Sequence, residues 1–135
     1  MKTGFQEEVS IPIGKITLKG DLIVPPKAKA IIIFSHGSGS SRHSKRNQQV
    51  AKYLHDKEFG TLLFDLLTEE EDLNYQNRFN IDLLTKRLAG ATEWLVRVPA
   101  ASEWRIGYLG ASTGAASALK AAALLPSTGA VATRR

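Results

Sequence analysis

Ser112 stands in the run Gly110-Ala111-Ser112-Thr113-Gly114, a G-x-S-x-G spacing. A serine in this pattern becomes a nucleophile when a sharp strand-to-helix turn forces its hydroxyl above a sheet. Small residues at 110 and 114 let strand and helix approach without clash. A helix N-terminus just beyond favours a developing anion. The flanks supply that context. Arg105 to Leu109 reads as a core strand, and Thr113 to Leu125 is alanine-rich with one charge, Lys120, as expected of a helix pressed against a sheet and stopped by Pro126. Without that context the pattern would describe only a glycine-rich turn.

A second element is Phe34-Ser35-His36-Gly37-Ser38-Gly39, directly after the apolar run 30–34. When a serine sits in a strand-to-helix turn, one oxyanion-binding N–H comes from the residue after it and another from the loop after this strand. Here those are the amides of Thr113 and, by position, Ser38, with glycines at 37 and 39 letting the backbone turn inward. The alternative is nucleotide binding through the Gly37–Gly39 loop. Against it stand the missing third glycine, where Arg42 is found, and the early hairpin. Arg42, Lys45 and Arg46 crowd this loop, and three cations at a helix start oppose its dipole. Arg42 and Arg46 are therefore candidates to bind an anionic substrate group, the alternative being plain solvation. Asp65 ends a core strand on the side where active sites form. It is expected to cap the next turn, with orienting a histidine or touching substrate as alternatives.

The elements that must position these residues follow from periodicity. Phe5 to Ile13 and Ile16 to Val24 alternate loosely around Gly14-Lys15, an antiparallel hairpin. Ala30 to Phe34 and Thr61 to Leu66 read as strands buried on both faces. A loop runs from His36 to Asn47. Val50, Tyr53 and Leu54 mark a helix ending near Gly60. Thr68 to Glu71 fits a capping box, with Glu69, Glu70, Glu71 and Asp72 in a solvated turn. Ile81, Leu84, Leu88, Ala91 and Leu95 recur at helical spacing to about Val96. A hairpin followed by alternating strands and helices implies a mostly parallel α/β sheet in one domain, 1–135.

Composition narrows the classes. The chain has 135 residues, and 43% are hydrophobic, enough for a packed core. It has no cysteine, which excludes disulfides and cysteine-bound metal and fits the cytoplasm. The longest apolar run, Ala30 to Phe34, is too short to span a bilayer, so no membrane association is expected. The formal charge is +5, but only 7% of residues are aromatic and they are not interleaved with the cations, so nucleic acid is not an expected partner.

The stretches IIIFSHGSGSSRHSKRN, GTLLFDLLTEEE and WRIGYLGASTGAASAL make the chain resemble the α/β-hydrolase superfamily, its dienelactone hydrolase-like branch in particular. The resemblance runs from the hairpin to the helix after Ser112. It implies Ser112 as nucleophile, where some members use cysteine, and His36 and Gly37 as the oxyanion-loop signature. It implies a small ester or acyl substrate, with neither cofactor nor metal.

The departure lies after Ser112. The family places an acid and then a histidine there, whereas this sequence has only Lys120, Arg134 and Arg135 as charged residues beyond it. His36, His43 and His55 all precede it. The expectation is an incomplete α/β-hydrolase fold, truncated after the nucleophile and inactive or weakly active. The alternative is a non-catalytic fragment or binding module. His36 is expected to brace its loop, with a role as base the lesser reading. The strand at 105–109 is expected to leave an open edge through which chains could self-associate.

Overall fold

The computed structural model describes residues 4–37, 41–98, 104–125 and 128–134. Strands β1 (Phe5–Ile13) and β2 (Ile16–Val24) pair antiparallel, from Phe5 opposite Val24 to Ile13 opposite Ile16. Gly14 closes the turn with φ near +60°, a conformation that side chains rarely adopt. Burial alternates along β2, with Leu18, Leu22 and Val24 inward, as expected of a strand with one covered face.

Beyond the hairpin the sheet becomes parallel. β2 pairs antiparallel with β4 (Gly60–Phe64). β4 then pairs with β3 (Ala30–Ser35), β3 with β5 (Arg105–Ala111), and β5 with β6 (Thr128–Arg134), all parallel. The order across the sheet is β1-β2-β4-β3-β5-β6. Helix α1 (Lys45–Asp56) covers one face, where Ala51 packs with Phe34 and Leu63. Helices α3 (Ile81–Val96) and α4 (Thr113–Leu124) cover the other. Their Leu84, Leu88, Ala91, Leu95, Ala118 and Ala121 share a core with Ile31, Ile33, Leu62, Ile106 and Tyr108. Successive residues of β3 thus meet different helices, which is why its sequence is unbroken apolar rather than alternating.

This order puts a topological switch between β3 and β5. From β3 the chain passes through α1 to β4 on one side, and from β5 through α4 to β6 on the other. Loops diverging at such a point leave a crevice at the carboxyl ends of the strands. The loop after β3 and the turn at Ser112 flank it.

Several expectations need correction. The far edge of β5 is not open, because β6 pairs along it from Ile106–Thr128 to Ala111–Arg134, with one register shift after Ile106. The edge of the sheet on that side is β6 rather than β5. Helix α1 begins before Asn47, because Ser44 caps it by accepting from the Asn47 N–H at 3.3 Å. β4 stops at Phe64 rather than Leu66, because the Leu66 N–H leaves the sheet for a side chain of the candidate site. The capping box at Thr68 forms and starts the short helix α2 (Glu69–Asp72). Its Glu71 is not simply solvated: both carboxylate oxygens meet the Arg87 guanidinium of α3, at 2.5 and 2.6 Å. Arg87 is buried, so this pair pins the acidic turn to the core helix. A 3-10 turn over Tyr75–Phe79 leads into α3.

Candidate active site

Ser112 joins β5 to α4 with φ 56° and ψ −127°. Among the described residues only Glu58 and Ser112 are non-glycine residues with positive φ. Such a conformation costs about 1–3 kcal/mol and persists only where its surroundings over-determine it. Here they do. A β-carbon on Gly110 would lie 2.6 Å from the Gly114 carbonyl oxygen and 2.8 Å from the Ala115 Cα. One on Gly114 would overlap the Ser35 carbonyl oxygen. Strand, turn and helix are in backbone contact, and only glycine fits at these two positions. Ser112 is exposed, and its side chain makes no capping hydrogen bond to α4. Its hydroxyl is held at the rim of the sheet without being spent on the helix.

Gly37 comes up against it. A β-carbon there would stand 2.8 Å from the Ser112 Cβ, 3.0 Å from the Ala111 carbonyl oxygen and 3.5 Å from the Ser112 Oγ. The loop after β3 and the turn after β5 thus meet at one spot, as the two motifs require. Thr113 opens α4 beside it, with its Oγ1 buried and without a hydrogen-bond partner among the described residues. The amides at the start of a helix have no partner within the helix. Ser38, the other expected amide donor, lies outside the described residues.

His36 has both ring nitrogens committed. Nδ1 lies 3.0 Å from the Gly37 carbonyl oxygen, and Nε2 accepts the Leu66 N–H at 3.0 Å. The proton therefore sits on Nδ1 and the ring is neutral. Burial holds its pKa below the usual histidine value, against the pull of the Gly37 carbonyl and the charges of Asp65 and Asp72. With its lone pair given to a backbone amide, His36 braces the loop and has no free nitrogen to act as a base. His55 points elsewhere: its Nε2 is 2.7 Å from the Thr61 Oγ1, under α1. His43 is exposed.

Arg42 meets three carboxylates. Its Nη1 lies 3.1 Å from Asp21 Oδ1 and 3.4 Å from Glu8 Oε2, and its Nε is 3.3 Å from Asp65 Oδ2. The side chain is 11% exposed, so three carboxylates occupy a largely covered guanidinium. These contacts make Arg42 a structural clasp between the loop after β3 and the hairpin. Arg46 and Lys45 lie exposed in the first turn of α1. A cleft of about 880 Å³ opens on the hairpin side of His36, lined by Lys19, Arg42, Asp65, Glu69 and Glu70 among others, and Ser112 is not in its wall. Among the described residues no group of three or more His, Asp or Glu side chains is placed to hold a metal ion.

Residue patterning did not reveal what ties these parts together. Asp65 accepts the Arg42 N–H at 2.8 Å, so it anchors the loop after β3 rather than capping its own turn. Ser35 and Ser117 meet beneath Gly114. A polar residue ending an apolar strand was the one visible hint of the second contact.

No family model matches the chain. Two Mycobacterium tuberculosis proteins, from strains CDC 1551 and H37Rv, carry the provisional name phosphoribosyl transferase and are each 52% identical over 117 residues. That match takes in 87% of this chain but 26% of theirs, so the chain spans about a quarter of these curated relatives. Among solved structures, a dienelactone hydrolase from Anabaena variabilis is 46% identical with a TM-score of 0.92, over 98% of this chain and 63% of that one. The Pyrococcus furiosus esterase Pf2001 superposes with a TM-score of 0.75 at 21% identity, over 95% of this chain and 50% of its own. A dienelactone hydrolase-like promiscuous phosphotriesterase, P91, does so at 0.76 and 16%, over 98% and 59%. These last two likenesses are of fold alone.

Proposed function

We propose that this dienelactone hydrolase-like chain with the α/β-hydrolase fold carries a serine acyl-hydrolase site centred on Ser112. The observation that carries the reading is the positive-φ serine, exposed and uncapped at the start of α4, with Gly37 packed against it. In this reading Ser112 is the nucleophile of an elbow. The Thr113 amide and an amide of the loop after β3, Ser38 by position, form the oxyanion hole. The substrate is a carboxylic ester or related acyl compound, and the cysteine-free composition suits a reducing cytoplasm.

No Asp, Glu or His follows Ser112 in these 135 residues, and His36 has no free lone pair. These residues alone should therefore turn over p-nitrophenyl esters slowly at best. Oxyanion stabilisation and binding without the other members of a triad leave roughly 10³–10⁴-fold catalysis over water. The nucleotide alternative is disfavoured, because Gly37 is committed against Ser112 and α1 starts only at Lys45, well beyond the glycines. The transferase name belongs to proteins that this chain matches over about a quarter of their length, and it is not carried across.

The absence of cysteine provides a direct test. Ser112→Cys carries a single thiol at the proposed nucleophile position. An anion-stabilising site at the N-terminus of α4 should lower that thiol's pKa by a unit or more below the free value of about 8.5. Thiolate absorbance against pH measures it. A pKa at or above the free value would refute the proposed site.

A further inference from the structure

The loop that leaves β3 at His36 and reaches α1 at Lys45 is fastened at both ends to one dipeptide, Asp65-Leu66. At the near end the Leu66 N–H donates to His36 Nε2 at 3.0 Å. At the far end Asp65 Oδ1 accepts the Arg42 N–H at 2.8 Å, and Asp65 Oδ2 lies 3.3 Å from the Arg42 Nε. The dipeptide is itself fixed, because the Asp65 N–H continues the sheet by donating to the Lys19 carbonyl of β2 at 2.9 Å. Arg42 is also held by Asp21 of β2 and Glu8 of β1, so the far anchor is braced on the hairpin.

Gly37 lies between these two anchors and packs against Ser112. A loop held at one end can swing. Held at both ends on a strand terminus, it has little freedom to move its described ends, His36 and Arg42, away from β4. Among the described residues the carboxylate of Asp65 meets the Arg42 amide and guanidinium, not Ser112.

We propose that Asp65 is a positioning residue: with Leu66 it suspends both ends of the loop after β3 and so holds Gly37 against Ser112. The consequence for chemistry rests on the reading of Ser112 as nucleophile. The anion-binding quality of the site then depends on a carboxylate that never touches the anion. This gives an unusual sign. Removing a nearby negative charge should by itself make an anion at residue 112 easier to form. Losing the suspension should make it harder.

The test uses the full chain with Ser112→Cys, alone and combined with Asp65→Ala or Asp65→Asn. Thiol pKa is measured as above. On chains that keep Ser112, NMR follows amide hydrogen exchange at Gly37, Arg42 and Ile33, and the NOE from Gly37 Hα to Ser112 Hβ. The expected result for Asp65→Ala is exchange at Gly37 and Arg42 accelerated at least tenfold more than at Ile33. The NOE should weaken, and the thiol pKa should rise toward the free value. Asp65→Asn keeps an acceptor for the Arg42 amide and should fall between; it carries the test if Asp65→Ala does not fold.

An unchanged NOE with unchanged Gly37 exchange would overturn the proposal. So would a thiol pKa that falls, the purely electrostatic outcome. If Ser112→Cys alone shows no lowered pKa, the reading of Ser112 has failed; the NOE and exchange measurements still decide whether Asp65 suspends the loop.

Discussion

The Ser35 and Ser117 hydroxyls meet at 2.9 Å in a fully buried hydrogen bond between the end of β3 and the second turn of α4. Its direction follows from the neighbours. The Ser117 hydroxyl donates to the Gly114 carbonyl at 3.0 Å, so the proton between the two serines is that of Ser35. The consequences of deleting each should differ. Ser117→Ala strands a buried donor and should cost about 1–3 kcal/mol, whereas Ser35→Ala leaves Ser117 with its carbonyl and should cost under about 1 kcal/mol. The double variant should be no worse than Ser117→Ala. Urea unfolding of the three chains checks the order, and equal losses would contradict the assigned direction.

Ser112→Gly should stabilise the chain. Glycine adopts φ 56° freely, so the strain of about 1–3 kcal/mol is released, less about 0.5–1 kcal/mol for glycine's greater loss of freedom on folding. A rise of about 1 kcal/mol in unfolding free energy is expected, visible as a higher urea midpoint at constant slope. A fall would mean the turn is not strained.

Gly37→Ala and Gly114→Ala should fail in different ways. At 114 the added methyl runs into the backbone of β3, which cannot yield, and the chain should lose about 3 kcal/mol or more or not fold. At 37 the methyl meets the Ser112 Cβ on an exposed rim. With the loop pinned at His36 and Arg42 neither side yields freely, so stability should fall by about 1–3 kcal/mol, less than at 114, while the local geometry is lost. Thermal melts beside the thiol titration of Ser112→Cys separate the two cases.

Glu71 and two histidines should shape the acid response. Arg87 and the Thr68 cap hold the Glu71 pKa near 2, well below its ordinary value of 4.5. A depressed carboxylate stabilises the fold above its unfolded pKa, and this stabilisation is lost as pH falls from about 4.5 toward 2. His36 and His55 act higher on the scale. Burial favours the neutral form of each in the folded chain, so the unfolded chain takes up the protons first and stability declines as pH drops below about 6.5. Unfolding free energy measured from pH 8 to 3 should therefore show two descending regions. Glu71→Gln should flatten the lower one only.

The strands and helices were legible because each is patterned by what it faces. Ile31 to Phe34 is apolar throughout because α1 and α3–α4 sit on opposite faces. Leu84, Leu88, Ala91 and Leu95 recur because one side of α3 lies on the sheet. The turn at Ser112 was legible for a different reason: Gly110 and Gly114 are required by local backbone contact. The partners of Arg42 and Glu71 were not legible, because they lie 21 residues or more away from Arg42 and 16 away from Glu71. A charged side chain looks the same in a sequence whether it meets solvent or a distant counter-ion. β6 was not legible, since Thr128 to Arg134 carries little apolar signal and is defined by the strand it lies against.

The sheet order also sets a timetable. β3 is made early but takes its place beside β5 only after α1, β4 and α3 have been synthesised, and the serines that join the two sides stand 82 residues apart. At about 5–20 residues per second, the ribosome delivers the second serine roughly 4–16 s after the first. Through that interval the β3 edge that will receive β5 has no partner, and Gly37 has no Ser112 to rest on. What exists meanwhile is the hairpin and the first crossover, with the β3 loop already able to hang from Asp65 and Leu66. The crevice is thus built from one wall, which must wait for the other to arrive.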